Sequence, residues 1–174
     1  PEEGNSHLRD FNLEVTTDPL ADAYSIQDVN IKVEDSSTGL LINIIPVSIR
    51  VGPYVNASLS PTNQTVNINT TLGETPLTRV YVTNTGNTPT IYSLWLDDSQ
   101  AGEVNFNLES PNQILIAPGF TDSVKIRLSP TNDADSDGYY MARLWVETDT
   151  GVNLSAEIVA NVCLLYTSPS PRDP

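Results

Sequence analysis

The chain of 174 residues contains one cysteine, one histidine and two lysines. A single cysteine excludes an internal disulfide and a cysteine-rich zinc site, and a single histidine excludes any site that needs two imidazoles. Acidic residues outnumber basic ones by 22 to 8, so we expect no nucleic-acid partner, because phosphate binding requires a basic patch. Since no apolar run reaches the roughly 18 residues that span a bilayer, we also expect no membrane insertion.

Sequence signatures of catalysis are missing as well. The chain has neither a G-x-S-x-G nucleophile motif nor a glycine-rich phosphate loop. His7 is the only imidazole, and a lone histidine near the start of the chain is more often a surface residue than a general base. We therefore expect a protein without enzymatic activity.

Alternation of apolar and polar residues with a period of two dominates the chain, and no helical period of 3.6 residues is found. Runs bounded by Gly, Pro, Asn and Asp predict a set of short strands. This pattern predicts an all-β fold, an Ig-like Greek-key sandwich of about seven strands. The predicted strands cover residues 55–59, 66–70, 77–83, 90–96, 104–108, 113–116, 123–128, 139–147 and 153–162.

An internal repeat with a period of 113 residues indicates a second domain. Residues 11–34 align with residues 124–147 in their alternation, and both segments lead through a polar turn with glycine into another alternating strand. A period near 110 residues is the length of one sandwich domain. We therefore expect residues 1–51 to be the last three strands of a truncated Ig-like domain, and residues 54–162 to be a nearly complete one, with the junction at Gly52 and Pro53.

Three turns support the sandwich: residues 83–87 (TNTGN), 116–119 (IAPG) and 137–140 (DGYY). Asn and Gly tolerate the positive φ of tight turns, and Tyr140 or Tyr139 is a candidate tyrosine corner. With the strands beside them, these turns resemble the prokaryotic extracellular Ig-like modules of the NEW3 or CARDB type. The resemblance implies spacer, adhesive or accessory domains of secreted or cell-surface proteins, without shared catalytic residues.

The last residues have a different character. Residues 163–174 resemble the translation product of a sequencing adapter, and we expect them to be a non-native tail. A proline- and serine-rich linker is the alternative interpretation. If the tail is an artefact, Cys163 is not biological, which fits an extracellular setting.

An acidic loop gives the sharpest local motif. Asp133, Asp135 and Asp137 precede Gly138 in the D-x-D-x-D-G arrangement that begins a calcium loop. A complete EF-hand requires Glu at the twelfth position, where this chain has Leu144, so the motif is not an EF-hand. Calcium with Tyr139 as a fourth ligand through its carbonyl is one hypothesis, and a solvated acidic turn is the other.

Two tryptophans suggest a ligand-binding surface. If Leu94 and Leu144 point into the core, Trp95 and Trp145 point outwards on strands that are neighbours in this fold, with Arg143 beside Trp145. Such an aromatic platform can stack on the sugar rings of a surface glycan. Partial burial against a loop or a neighbouring domain is the alternative.

The sequence thus predicts a structural or adhesive repeat module of a large extracellular or cell-surface protein. Its expected partners are neighbouring Ig-like domains of the same chain and a surface glycan or protein, and it needs no cofactor beyond the hypothetical calcium. An accessory carbohydrate-binding domain of a secreted enzyme is the first alternative. An interaction module whose edge strand pairs with a partner chain is the second.

Overall fold

A computed structural model describes residues 12–70, 73–134 and 138–163. Its secondary structure is a series of antiparallel strands with one parallel pairing. In chain order these are β1 (Ile26–Glu34), β2 (Leu41–Arg50), β3 (Ala57–Ser60), β4 (Asn63–Asn69), β5 (Leu77–Asn84), β6 (Thr90–Gln100), β7 (Val104–Leu108), β8 (Gln113–Ile116), β9 (Thr121–Pro130), β10 (Tyr139–Glu147) and β11 (Asn153–Cys163).

Two sheets form the sandwich that the alternation predicts. One sheet has the order β4-β11-β10-β6-β8, and the other has the order β3-β5-β9-β7. The first strand of the sandwich is divided between the two sheets. Its first part, β3, pairs with β5. After Pro61 the chain crosses to the other sheet, where β4 runs parallel to β11. The all-β, Ig-like fold class is therefore confirmed. In the described ranges, no helix has the length and apolarity to cross a bilayer.

The core lies between the two sheets and consists of alternate residues of the central strands. Burying these aliphatic side chains stabilises the fold by roughly 25 cal/mol per Å² of apolar surface. The polar side chains of the same strands face solvent, which is why the sequence alternates. The large aliphatic residues that are fully buried are Ile68, Val80, Val82, Val104, Val124, Ile126, Leu128, Leu144, Val146, Ile158 and Val162.

The start of the chain departs from the expected three strands. Residues 12–15 form no strand, although they align with part of β9 when moved by 113 residues. In the sandwich β9 is held between β5 and β7, whereas the described residues before Ile26 offer no such neighbours. The apolar pattern alone therefore does not make residues 12–15 a strand.

A clamp formed by the turn at residues 83–87 holds the junction between the hairpin β1–β2 and the sandwich. The Asn87 side chain accepts a hydrogen bond from the Tyr54 N–H (2.6 Å) and donates one to the Gly52 carbonyl (3.0 Å). Gly86 packs directly against this linker, where a β-carbon would lie 2.4 Å from the Tyr54 carbonyl oxygen. The turn that was predicted from Asn and Gly thus also fixes the chain that enters the sandwich.

Tyr140 lies at the opposite end of the sandwich from this junction clamp, as the second residue of β10. Its ring packs against two glycines: a β-carbon would lie 2.8 Å from it at Gly102 and 2.6 Å at Gly138. Tyr139 is exposed instead. Of the two candidates, Tyr140 therefore occupies the inward position that a tyrosine corner requires.

Matched leucine substitutions test the position of the core. Leu144 is fully buried and Leu115 is 66% exposed. Leu144→Ala should lower the free energy of unfolding by about 2–5 kcal/mol, because it leaves a cavity between the sheets. Leu115→Ala should change it by less than about 0.5 kcal/mol. Urea denaturation of both variants measures the difference, and equal destabilisation would contradict this packing.

Candidate functional site

Trp95 and Trp145 are direct cross-strand partners on the outer face of the five-stranded sheet. Their side chains point outwards because Leu94 and Leu144, the preceding residues, are buried between the sheets. The ring centroids are 5.6 Å apart and the ring planes differ by 16°, so the rings are stacked. The proximity expected from the sequence is therefore confirmed.

Stacking changes what the pair can bind. One face of each ring lies against the other ring, and the Arg143 guanidinium carbon lies 5.9 Å from the Trp145 ring centroid. A sugar platform requires free ring faces. Trp95 is 44% exposed and Trp145 is partly buried, so sugar stacking at this pair stays a prediction.

Arg143 joins the tryptophans to a charged row across the same sheet. Its guanidinium forms an ion pair with Glu157 on β11, at 3.5 Å, and it lies opposite Asp97 on β6. The pKa of Asp97 is lowered chiefly by hydrogen bonds from the Ser99 hydroxyl and N–H, with a smaller contribution from the Arg143 charge. Arg143 thus lies over Trp145 with an ion pair to Glu157 on one side and the Asp97 carboxylate across the strand pair on the other.

Two aliphatic side chains extend this surface and were missed in the sequence. Ile91 on β6 and Leu115 on β8 are register partners, and they are 55% and 66% exposed. Ile91 and Trp95 lie on the same face of β6. Ser93 lies between them on that face, and its hydroxyl accepts a hydrogen bond from the Gln113 side-chain amide at 3.4 Å. An available signal was the unbroken apolar run of residues 114–116, which indicates apolar side chains on both faces. We call Ile91, Trp95, Leu115, Arg143 and Trp145 the outer-face patch.

The acidic loop lies between β9 and β10, at the end of the sandwich where β11 finishes. The Val162 N–H donates to the Gly138 carbonyl at 3.1 Å, which places the end of this loop beside the exit of the chain. Asp133 is exposed, and the Tyr139 side chain is 74% exposed. Asp135 and Asp137 lie outside the described residues. Within the described ranges no three acidic, histidine or cysteine side chains cluster as a metal site would require, so calcium binding stays a prediction.

The loop at residues 17–24 falls on residues 130–137 when moved by 113 residues, and it lies next to the junction. The Tyr24 N–H donates to the Val51 carbonyl at 2.8 Å, and a shallow cleft between the loop and the linker is lined by Asp18, Arg50 and Asn87, among others. Asp18 uses one carboxylate oxygen to accept the Leu20 N–H, as expected of a turn residue. The loop thus has a local structural role.

Comparison with known proteins defines the fold. No family model matches the chain, and no curated protein does. Solved structures with similar folds include the CsuC–CsuE chaperone–tip adhesion subunit complex of Acinetobacter baumannii (16% identity, TM-score 0.43, 62% of this chain and 57% of that one). Others are the CupB2 chaperone of Pseudomonas aeruginosa (15%, 0.47, 60% and 55%) and a PapD-like domain of human CEP192 (15%, 0.45, 62% and 85%). At these identities the likeness is one of fold, and the matched region spans little more than half of the two bacterial chains.

These structures correct the functional expectation. Several of the similar structures are chaperones. The expectation of a structural or adhesive repeat module is therefore wrong.

Calcium binding at the acidic loop is tested by thermal unfolding. If Asp133, Asp135 and Asp137 share a calcium ion, free calcium at about ten times its Kd should stabilise the chain by roughly 1.4 kcal/mol and raise Tm by a few degrees. The triple variant D133N/D135N/D137N should lose this response, whereas Asp122→Asn, an acidic residue on β9, should keep it. An unchanged Tm of the native sequence in calcium would contradict the hypothesis.

Proposed function

We propose that this chain is a non-enzymatic protein-binding module of an extracytoplasmic compartment, which docks a partner protein on the outer face of its five-stranded sheet. The observation that carries the proposal is the outer-face patch, in which exposed aliphatic, aromatic and cationic side chains occupy three adjacent strands. The chaperones of similar fold, one of them in complex with an adhesion subunit, are consistent with a protein as the partner.

Chemical composition favours a protein partner for this patch. Tryptophan and arginine are enriched among the residues that dominate protein–protein binding, and such residues cluster with apolar neighbours that exclude water. Single exposed apolar residues are ordinary on protein surfaces. Here Ile91 and Leu115 are cross-strand neighbours, and Trp95 lies on the same face of β6, four residues after Ile91. The patch therefore offers an apolar anchor at one end and a charged row at the other.

Rigidity adds to this suitability. The patch residues lie on paired strands whose opposite faces are packed into the core, and Trp95 is further fixed by its stack on Trp145. Arg143 is held by Glu157 and by the Trp145 ring. Because Trp95 and Trp145 already constrain each other, ordering them on binding costs less conformational entropy than ordering two mobile side chains.

The sheet edges are less suitable for binding a partner strand. β3 and β8 have four residues each and β7 has five, and Pro111 and Pro118 flank β8 on its two sides. Short edges bounded by proline are a common protection against unwanted strand pairing. β4 is longer, with seven residues, but its outward side chains are Asn and Thr without an apolar pocket beside them. The outer face is the better candidate.

Composition supports a compartment outside the cytoplasm. The chain has a single cysteine, Cys163 at the end of β11, so it has few thiols that an oxidising exterior could modify. One of the chaperones with a similar fold is described as periplasmic. We therefore place the module outside the cytoplasm, in the periplasm or at the cell surface, where a protein partner reaches it.

Matched aromatic substitutions test the docking face. Peptides selected against the native chain from a displayed library should lose affinity at least tenfold, about 1.4 kcal/mol, with Trp95→Ala, because interface tryptophans contribute strongly to binding. They should retain their affinity with Tyr81→Ala, which removes a comparably exposed aromatic ring from the other sheet. Isothermal titration calorimetry of each variant gives the two affinities.

Two results would contradict the proposal. One is a set of selected peptides whose affinity is indifferent to Trp95→Ala and to the double variant I91S/L115S. The other is binding to a glycan array, at affinities above those of any peptide, that depends on Trp95. Circular dichroism of each variant shows that the sandwich remains folded, since all the substituted residues are exposed.

A further inference from the structure

Strand β1 has an edge that no strand of the described chain covers. It pairs with β2 alone, and the two form a separate sheet. In an antiparallel strand, the backbone N–H and C=O groups of successive residues point alternately to the two sides. Beside the start of β1 the Val51 N–H donates to the Ser25 carbonyl at 3.0 Å, so the odd-numbered residues of β1 bond to β2. Even-numbered residues, which include Asp28, Asn30 and Lys32, therefore direct their backbone groups to the free edge.

The other edge of the hairpin, along β2, is protected against strand pairing. By the same alternation its outward groups belong to even-numbered residues, and Pro46 among them has no N–H to donate. The Ile44 N–H already donates to the Asn43 side-chain oxygen at 2.8 Å. Between Asp28 and Lys32 the edge of β1 contains no proline, and no described group accepts its N–H donors. An incoming strand thus meets a complete row of donors on β1 and an interrupted row on β2.

The side chains along β1 make this edge complementary to itself. Two copies of β1 can pair in antiparallel fashion about a two-fold axis at Asn30, with their outward backbone groups facing each other. Asp28 and Lys32, both exposed, then each lie opposite the other residue of the second copy. On the opposite face Val29 lies beside Ile31 of the second copy. Pairs of opposite charges and of β-branched residues both stabilise neighbouring strands.

Other registers lose this match. The axis can move along β1 by whole residues, because such a shift keeps the even-numbered residues of the two copies face to face. An axis at Ile31 places Asp28 opposite Glu34. An axis at Lys32 or at Asp28 places that residue opposite its own copy. Like charges directly opposite each other destabilise a strand pair, so the sequence favours the axis at Asn30.

We infer that β1 pairs with β1 of a second copy of this chain, antiparallel and with Asn30 on the two-fold axis. The resulting sheet has the order β2-β1-β1-β2. A hairpin of two strands is at best marginally stable in water, whereas a sheet of more strands with an apolar face gains stability. A second copy supplies a whole hairpin, and a two-fold contact closes on itself, so it covers both β1 edges at once. The contact is separate from the outer-face patch and does not depend on the partner proposed there.

Charge reversal tests the register of this dimer. Asp28→Lys alone places lysine opposite Lys32 at two symmetric positions, and Lys32→Asp alone places aspartate opposite Asp28. Each variant should raise the dimer Kd about tenfold, because attraction becomes repulsion twice. The double variant D28K/K32D exchanges the charges without changing the net charge of the chain, and it should return the Kd to within about threefold of the native value. Sedimentation equilibrium of the 174-residue chain, at concentrations up to about 1 mM, measures each Kd, since contacts of this size are weak.

Proline substitutions test which edge is used. Asn30→Pro removes the N–H on the axis and no bond to β2, because Asn30 directs its backbone groups outwards, and it should abolish dimerisation. Ile42→Pro, its matched control on the outward side of β2, should leave the dimer Kd unchanged. Hydrogen exchange adds a site-resolved measurement: protection of the Asn30 and Lys32 amides should rise with protein concentration, while that of the Ser48 amide should not.

Four results would overturn the inference. The first is a native chain that stays monomeric at about 1 mM, well above the Kd expected even for a weak specific contact. The second is a dimer that D28K/K32D fails to restore after the single reversals have weakened it. The third is a dimer that survives Asn30→Pro but is lost with Trp95→Ala, which would place the contact on the outer-face patch. The fourth is protection of the Asn30 amide that is independent of concentration, because another segment of the same chain would then occupy the edge.

Discussion

The packing of alternate strand residues between two sheets is the interaction on which the rest of the molecule depends. Val80 and Ile126 on one sheet and Leu144 and Ile158 on the other are fully buried, and each buried residue orients its neighbours towards solvent. The outer-face patch is a direct consequence, because Leu94 and Leu144 in the core leave Trp95 and Trp145 outside and in register. The position of this patch is thus fixed by the core behind it.

That same constraint explains the hairpin at the start of the chain. β1 and β2 alternate as β10 and β11 do, yet their apolar side chains remain half-buried, since the described residues provide no opposing sheet. The linker between the two units is nevertheless held in place, with the Asn87 side chain bridging Gly52 and Tyr54.

Much of this arrangement could be predicted from the sequence. Strands β7, β8 and β10 have the predicted ends, because Gly, Pro and Asp interrupt the alternation there. The tryptophan pair was predictable because the strands that carry Trp95 and Trp145 are neighbours in any Ig-like sandwich. Their stacking was not, because the strand pattern fixes the face on which a side chain lies but not its rotamer.

Other features depend on topology that local patterns do not contain. The pairing of Ile91 with Leu115 arises because the chain leaves β6 for the other sheet, forms β7, and returns to add β8 to the edge of β6. Residues 12–15 have the composition of a strand but lack neighbours to pair with. Local alternation therefore predicts which residues are able to form strands, and long-range pairing decides which of them do.

Docking of a protein partner on the outer face of the five-stranded sheet is tested most directly by cross-saturation NMR. The isotope-labelled chain is bound to an unlabelled peptide that was selected from a displayed library. If the partner docks on this face, the Trp95 indole and the methyl groups of Ile91 and Leu115 should lose the most intensity. Losses centred on Tyr81 and the other outward residues of the four-stranded sheet, with the outer-face patch unaffected, would contradict it.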